Sequence, residues 1–188
     1  MDALTALHNR VSTGKLTEPA PTEQQRKNIF LAALRAADHA CLRPWRFLLV
    51  EGEGRERLGG IFLKAAEQAE GAALTEAQRQ RTKAMPLRAP LIIVAITRLQ
   101  EHPKVPHLEQ HMSTAGAVQA MLTAAYAEGI GAYWRTGPLA GNPLVAEGLG
   151  LANNERIAGF IYCGTPDKAP RQAPDLAVDE FFSYWGAH

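Results

Sequence analysis

The chain has 188 residues, with 20 Lys and Arg against 19 Asp and Glu and a formal net charge of +1. A balance this even excludes a general binder of nucleic acid or of anionic membrane surfaces. A chain of this length buries roughly 70% of its unfolded surface without disulfide or metal staples, so a single domain over residues 1–188 is expected.

Asp2 caps a first helix to about Asn9, with Leu4 and Leu7 on one face. After Pro19 and Pro21, Thr22-Glu23-Gln24-Gln25 forms a capping box, and Ile29, Phe30, Ala33 and Leu34 recur behind it at helical spacing. Arg35 to His39 ends this helix and begins a loop to Pro44-Trp45. Arg46 to Val50 reads as a strand closed by Glu51-Gly52-Glu53-Gly54. A helix from about Glu53 to Ala69 follows, then a second, one-sided helix between Leu74 and Lys83. Leu91 to Ile96 is a continuous apolar run of strand length, hence a buried strand. Arg98 to His111, interrupted by Pro103 and Pro106, is expected to be a loop or flap.

From Ser113 the chain turns apolar and alanine-rich as far as Ala127. A helix with almost no polar face is buried nearly all round and central to the molecule. Gly129 fits the left-handed position that closes such a helix. Ile130 to Trp134 is a third strand, Asn142-Pro143 caps and opens a short helix to about Leu149, and Arg156 to Gly164 is a fourth strand turning at Thr165-Pro166. Lys168 to Pro174 is proline-rich and extended. Helices alternating with a few strands indicate an α+β or α/β sandwich, with the strand directions left open. Met1-Asp2-Ala3-Leu4 carries neither a basic n-region nor a long apolar h-region, and the apolar runs fall short of the roughly 20 residues of a membrane span, so a cytoplasmic location is expected. Cys41 and Cys163 form no Cys-x-x-Cys pair and read as reduced, partly buried thiols, with a disulfide or a nucleophile as the alternatives.

Gly52-Glu53-Gly54 and Gly129-Ile130-Gly131 both stop at Gly-x-Gly. The second precedes a strand, where a dinucleotide fingerprint must open a helix, so both read as turns. His107 and His111 have a spacing that can chelate zinc on a helix, but Leu108 stands where the zincin motif needs Glu, and a solvated helix start is expected instead. Neither a Ser-centred elbow nor a paired acidic cluster is present in the sequence to support covalent or glycosidic hydrolysis.

A scattered set remains: Arg10 and Ser12 after the first helix, Arg35 and His39 around the end of the second, and Trp134-Arg135-Thr136 at the end of the third strand. Each has a plain structural explanation: Arg10 at the favourable end of a helix dipole, His39 capping a loop, Trp45 in the core. Together they offer cations and hydroxyls to a phosphate, donors to a heterocycle edge and an aromatic surface for stacking. Arginine at the end of a buried element is costly without a partner, so Arg135 signals an anionic or π-rich neighbour.

These residues, with Pro44-Trp45, Glu51 to Arg57, Arg88-Ala89-Pro90-Leu91-Ile92, Lys104-Val105-Pro106 and Gly164-Thr165-Pro166, make the chain resemble the FMN-dependent nitroreductase family over nearly its full length, in the small single-domain branch. Arg10-Val11-Ser12 resembles the family's Arg-Arg-Ser flavin motif, with Val11 in place of the second Arg, and Arg43 stands where Gln is usual before Pro-Trp. The resemblance implies an α+β fold: a nitroreductase-like α/β sandwich whose central, mainly antiparallel sheet is flanked by helices, working as an intertwined homodimer with FMN at the subunit interface. It implies that Arg10, Val11 and Ser12 contact FMN, with Arg10 on the phosphate. Arg35 and His39 would lie on the cofactor too, and Trp134, Arg135 and Thr136 would approach it from the other subunit. It places NAD(P)H at the helix end Ala124-Ala125-Tyr126-Ala127-Glu128-Gly129. The implied activity passes hydride from NAD(P)H to nitroaromatic, quinone or similar electron-poor acceptors by a ping-pong mechanism, with no metal, no nucleic acid, no membrane and no catalytic side chain. Two alternatives stand beside it: the same flavoprotein fold reducing an enone or halogenated ring, and a non-catalytic flavin-binding dimer.

Overall fold

The apolar run expected to be a buried strand lies at the middle of the sheet. In the computed structural model, which describes residues 1–186, this strand, β3 (Leu91–Arg98), is buried at every position from Leu91 to Thr97. Its side chains alternate between two cores. Leu91, Ile93 and Ala95 enter one, Ile92, Val94 and Ile96 the other, and each large aliphatic contributes about 1.5–3 kcal/mol by leaving water.

β2 (Trp45–Val50) and β5 (Glu155–Pro166) flank β3, and β4 (Gly131–Arg135) and the two-residue β1 (Leu16–Thr17) pair with β5. Every pairing is antiparallel, which settles the strand directions that periodicity left open. One face of the sheet is covered by α2 (Glu23–Ala33) and α5 (His107–Ala127), with α1 (Ala3–Asn9) packed on α5. The other is covered by α3 (Glu53–Glu70) and α6 (Pro143–Gly148), with α4 (Glu76–Lys83) packed on α3. The result is the expected α+β sandwich. Among the described residues no helix is long and apolar enough to cross a membrane.

The central helix begins earlier than its composition suggested. Composition puts Arg98 to His111 in a loop while the His107–His111 spacing reads as a solvated helix start; α5 starts at His107, directly after the extended Pro106, with His107 and Leu108 exposed. Two polar residues of the helix serve neighbouring loops from inside it. Buried Gln110 accepts from the Gln100 N–H at 2.9 Å and donates to the Gln100 carbonyl at 2.8 Å, and buried Thr114 donates to the Pro44 carbonyl at 3.1 Å. At the far end Gly129 takes φ 74°, Gly129 N–H donates to Tyr126 O at 3.0 Å and Ile130 N–H to Ala125 O at 2.8 Å, the closing pattern that a left-handed glycine permits.

The start of β5 carries an ion pair that no sequence pattern announced. Glu155, 6% exposed, accepts a two-pronged contact from Arg46 (2.6 and 2.7 Å) and the Ala152 N–H at 3.0 Å. The Arg46 hydrogen bond holds its carboxyl down at about 2, against the opposing effect of burial. A depressed carboxyl stabilises the fold above its unfolded value near 4.5 and loses that contribution as the pH falls towards 2. Glu155→Gln is therefore expected to cost about 2–3 kcal/mol at neutral pH. Thermal melts between pH 5 and pH 2.5 check it: the native protein should lose stability more steeply than the variant, and parallel curves would refute the assignment.

Candidate functional site

The Arg10–Ser12 turn leaves α1 where the helix ends. Asp2 caps the helix start by accepting from the Thr5 N–H at 3.0 Å, and Arg10 is the C-cap, its N–H donating to the Ala6 carbonyl. Val11 is buried and Ser12 half-buried. The next residue fixes the turn in space, because Thr13 N–H donates to the Ala132 carbonyl of β4 at 2.9 Å. The turn that carries the residues expected at the flavin phosphate is thus tied, within one chain, to the strand that carries Trp134 and Arg135.

Along β4 the side chains alternate. Trp134 packs with the α2–α5 core, and Tyr133 packs with the α3–α6 core. The Trp134 indole N–H donates to the Ala158 carbonyl at 3.1 Å. That carbonyl is available because β5 bulges there: Ala95 pairs with Gly159 but Ile96 pairs with Ile157, leaving Ala158 unpaired in the β3 register. Arg135, on the opposite face from Trp134, stacks over Tyr133 at 4.1 Å and approaches Tyr162 at 5.3 Å. The π-rich neighbour inferred for this arginine is present. Its Nε is buried and has no hydrogen-bond partner among the described residues, so its charge is only partly satisfied by the rings. Burial pushes the Tyr162 phenol up, with Arg135 and Arg88 pulling the other way. Thr136 is exposed.

Arg35 and His39 form a second group, beyond the end of α2. Helix α2 lies on α5, its start tied to the end of that helix by Asn28 Nδ2 donating to Glu128 Oε1 at 2.6 Å and Gln25 Nε2 to the Glu128 carbonyl at 3.1 Å. Arg35 is exposed, and His39 Nδ1 lies 2.7 Å from Glu109 Oε2 at the other end of α5. Among the described residues no hydrogen bond or ion pair joins this group to the Arg10–Ser12 or Trp134–Thr136 group. Arg10, Arg35 and Arg135 each lack a carboxylate partner there. Three unneutralised guanidinium groups and an orphaned Nε suit a ligand bearing phosphate and an electron-rich ring system.

The helix end Ala124–Gly129 has a different character. Ala125 is buried, Ala124, Tyr126 and Glu128 are half-buried, and Ala127 and Gly129 are exposed. A helix C-terminus carries negative partial charge and Glu128 adds a carboxylate, so this segment suits hydroxyl or amide donors better than phosphates. His107 pairs with Glu101 at 2.9 Å, and His111 reaches Thr97 Oγ1 at 3.2 Å while burial, with His107 and Arg156, pushes its pKa down. Cys163 is buried and its thiol is pushed up to about 12, which removes it as a nucleophile, whereas Cys41 is exposed.

Enclosed space in the single chain lies elsewhere. A groove of about 560 Å³ between α6 and the start of β5, bordered by Asn142, Glu147, Asn153 and Ile157, is lined by none of Arg10–Ser12, Arg35, His39, Ala124–Gly129 or Trp134–Thr136.

The nitroreductase family model matches residues 7–165. The chain belongs to the nitroreductase family. Over 166 residues it is 44% identical to the Escherichia coli (strain K12) protein YdjA, whose name places it provisionally among NAD(P)H nitroreductases; the match spans 88% of this chain and 89% of YdjA. A crystal structure of a nitroreductase-like family protein from Bacillus cereus superimposes with a TM-score of 0.82 at 26% identity, covering 100% of this chain and 97% of that one. A Desulfovibrio desulfuricans protein crystallised in complex with FMN shares the fold at a TM-score of 0.73 and 19% identity, covering 100% of this chain and 99% of its own.

Proposed function

We propose that this nitroreductase-family chain is an FMN-dependent oxidoreductase of the cytoplasm. It acts as a homodimer and passes reducing equivalents from NAD(P)H to nitroaromatic, quinone or similar electron-poor acceptors. The observation that supports the reading best is the hydrogen bond from Thr13 N–H to the Ala132 carbonyl, which ties the turn Arg10–Ser12 to β4, the strand that leads to Trp134–Thr136. FMN held by these residues would supply the redox chemistry, linking oxidation of NAD(P)H to reduction of an acceptor that visits in turn.

The protein's own part is to bind and orient. Arg10 and Ser12 hold the phosphate, and Val11, being buried, contributes main chain only. Trp134 would present its indole as a wall whose tilt is fixed by the Ala158 carbonyl, and Arg135, on the other face of β4, would lend positive charge from the strand end rather than from beside the indole. The contact between the Arg10 turn and β4 favours one subunit supplying both, with Arg35 and His39 contributed by the partner chain. The Ala124–Gly129 helix end offers its negative partial charge to the hydroxyls or carboxamide of NAD(P)H. No side chain is assigned as a general acid.

A second copy is supported by uncovered apolar surface. Leu4 and Leu7 of α1, Leu31 of α2, its C-cap Leu34, and Leu108 and Met112 of α5 are all exposed on one helical layer. The segment from Asp167 to Gly186 leaves the sheet with Leu176, Val178, Phe181, Phe182, Tyr184 and Trp185 exposed, Trp185 at 101%.

Purified protein is expected to be yellow, and anaerobic titration with NADH and NADPH separately should bleach it with one clearly preferred. Arg10→Ala should weaken FMN by about 10- to 100-fold, the worth of a charge-assisted contact to phosphate. Full flavin retention by this variant at ordinary salt would contradict the phosphate assignment, and a protein that neither carries nor takes up FMN would end the functional reading.

A further inference from the structure

Within five positions after His39, three residues that are not glycine hold left-handed backbone: Ala40 at φ 59°, Cys41 at φ 54° and Arg43 at φ 48°. Side chains with a β-carbon rarely adopt this region, and a run of them survives only where the surroundings over-determine it. Here they do. Asp38 Oδ2 accepts from the Arg43 N–H at 2.6 Å, and the Arg43 carbonyl accepts from the Trp45 N–H at 2.8 Å. The Leu42 carbonyl accepts from Gln100 Nε2 at 3.0 Å, and the Pro44 carbonyl accepts from Thr114 Oγ1 at 3.1 Å. Pro44 and Trp45 are buried just behind the loop.

The braced loop displays an unneutralised cation. Arg43 is exposed and makes no ion pair among the described residues. Asp38, which accepts from the Arg43 main chain, is engaged with the loop, and Glu109 is paired with His39 at 2.7 Å. A glycine at position 43 would relieve the backbone. An arginine there brings only its guanidinium, next in the chain to the group containing Arg35 and His39.

We propose that Arg43 is a specificity residue, docking an anionic group (a carboxylate or a phosphate) on the small molecule that visits the flavin. The inference rests on the flavin reading above. It predicts a preference for acidic acceptors such as 4-nitrobenzoate, or for the phosphorylated nucleotide, over uncharged counterparts of similar size. The preference weakens as salt screens the contact.

The test compares native enzyme with Arg43→Gln and Arg43→Lys. Both variants keep a β-carbon, so the backbone demand is unchanged. One arm measures the ratio of kcat/KM for 4-nitrobenzoate to that for 4-nitrobenzyl alcohol, and the other the ratio for NADPH to NADH. Flavin content is read from the visible spectrum, and the dissociation constant of benzoate, which cannot be reduced, is measured by calorimetry. Arg43→Gln should lower one of the two ratios about tenfold, with Arg43→Lys intermediate, and which ratio moves identifies the ligand's source. Benzoate binding should weaken about tenfold if the acceptor ratio is the one that falls. Flavin bound normally with both ratios unmoved overturns the inference and leaves the flavin reading standing, whereas protein that binds no FMN overturns both.

Discussion

A chain ending after Asp167 is expected to sediment as a single subunit and to emerge from purification without colour. From Asp167 to Gly186 every residue but Ala173 is exposed, and secondary structure is limited to one short 3-10 turn at Val178–Glu180. Such a segment has no reason to be ordered by its own chain. Its composition is nonetheless far from that of a disordered tail: Phe181, Phe182, Tyr184 and Trp185 follow one another closely, all well exposed. Aromatic side chains bury roughly 150–250 Å² each, so covering these four removes on the order of 600 Å² or more, most of one partner's share of a standard interface. A second copy is the occupant that fits. The helical layer of α1, α2 and α5 leaves its own leucines uncovered, and β2 is a sheet edge paired only with β3. On the proposed arrangement, in which the partner contributes Arg35 and His39, losing the partner would remove those cofactor contacts. Light scattering and the visible spectrum check both consequences together. A truncated protein with the mass of two chains and full flavin content would show that the arm is not what holds the assembly.

Local chemistry made the elements legible, and the places where reading failed share one cause. Thr22–Gln25 forms its capping box, with Thr22 N–H reaching Gln25 Oε1 at 2.9 Å, Asn142-Pro143 starts α6 as expected, and Gly129 closes α5. These signals lie within four or five residues of the element they announce. The burial of Gln110 and Thr114 and the Glu155–Arg46 pair did not show, because these residues are satisfied by groups distant in sequence, and a polar residue answered only in three dimensions reads as surface. The two-residue β1 was missed for the same reason, since its register exists only against Thr165 and Pro166. At the site, the pull of Arg135 towards a π-rich neighbour followed from the cost of burying a cation. That the neighbours are Tyr133, two residues back, and Tyr162 on the next strand follows from the sheet register, in which those two tyrosines pair. The left-handed run at Ala40, Cys41 and Arg43 carries no glycine or asparagine to betray it.

Replacing Gly159 by Ala should damage both the fold and the site. Gly159 sits in the β5 bulge at φ 149°, a backbone that side chains avoid, and a β-carbon there would collide with the Trp134 indole nitrogen and stand 2.9 Å from the Arg135 carbonyl. Neither obstacle is the loose end of a flexible chain. The indole is held by its bond to the Ala158 carbonyl and by the α2–α5 core, and the Arg135 carbonyl belongs to β4. Backbone strain and overpacking together amount to roughly 3 kcal/mol, which lowers the melting temperature of a chain this size by about 6–12 °C. The indole is also the surface assigned to the flavin, so FMN affinity should fall alongside stability, and Trp134 is the place where the two losses join. A double-variant cycle tests that junction. Trp134→Phe removes the indole nitrogen that the new methyl would strike, so the pair Trp134→Phe with Gly159→Ala should cost less than the sum of its parts by about 1 kcal/mol. Strict additivity in thermal melts would mean that the bulge glycine serves the backbone alone and that Trp134 is positioned by something else.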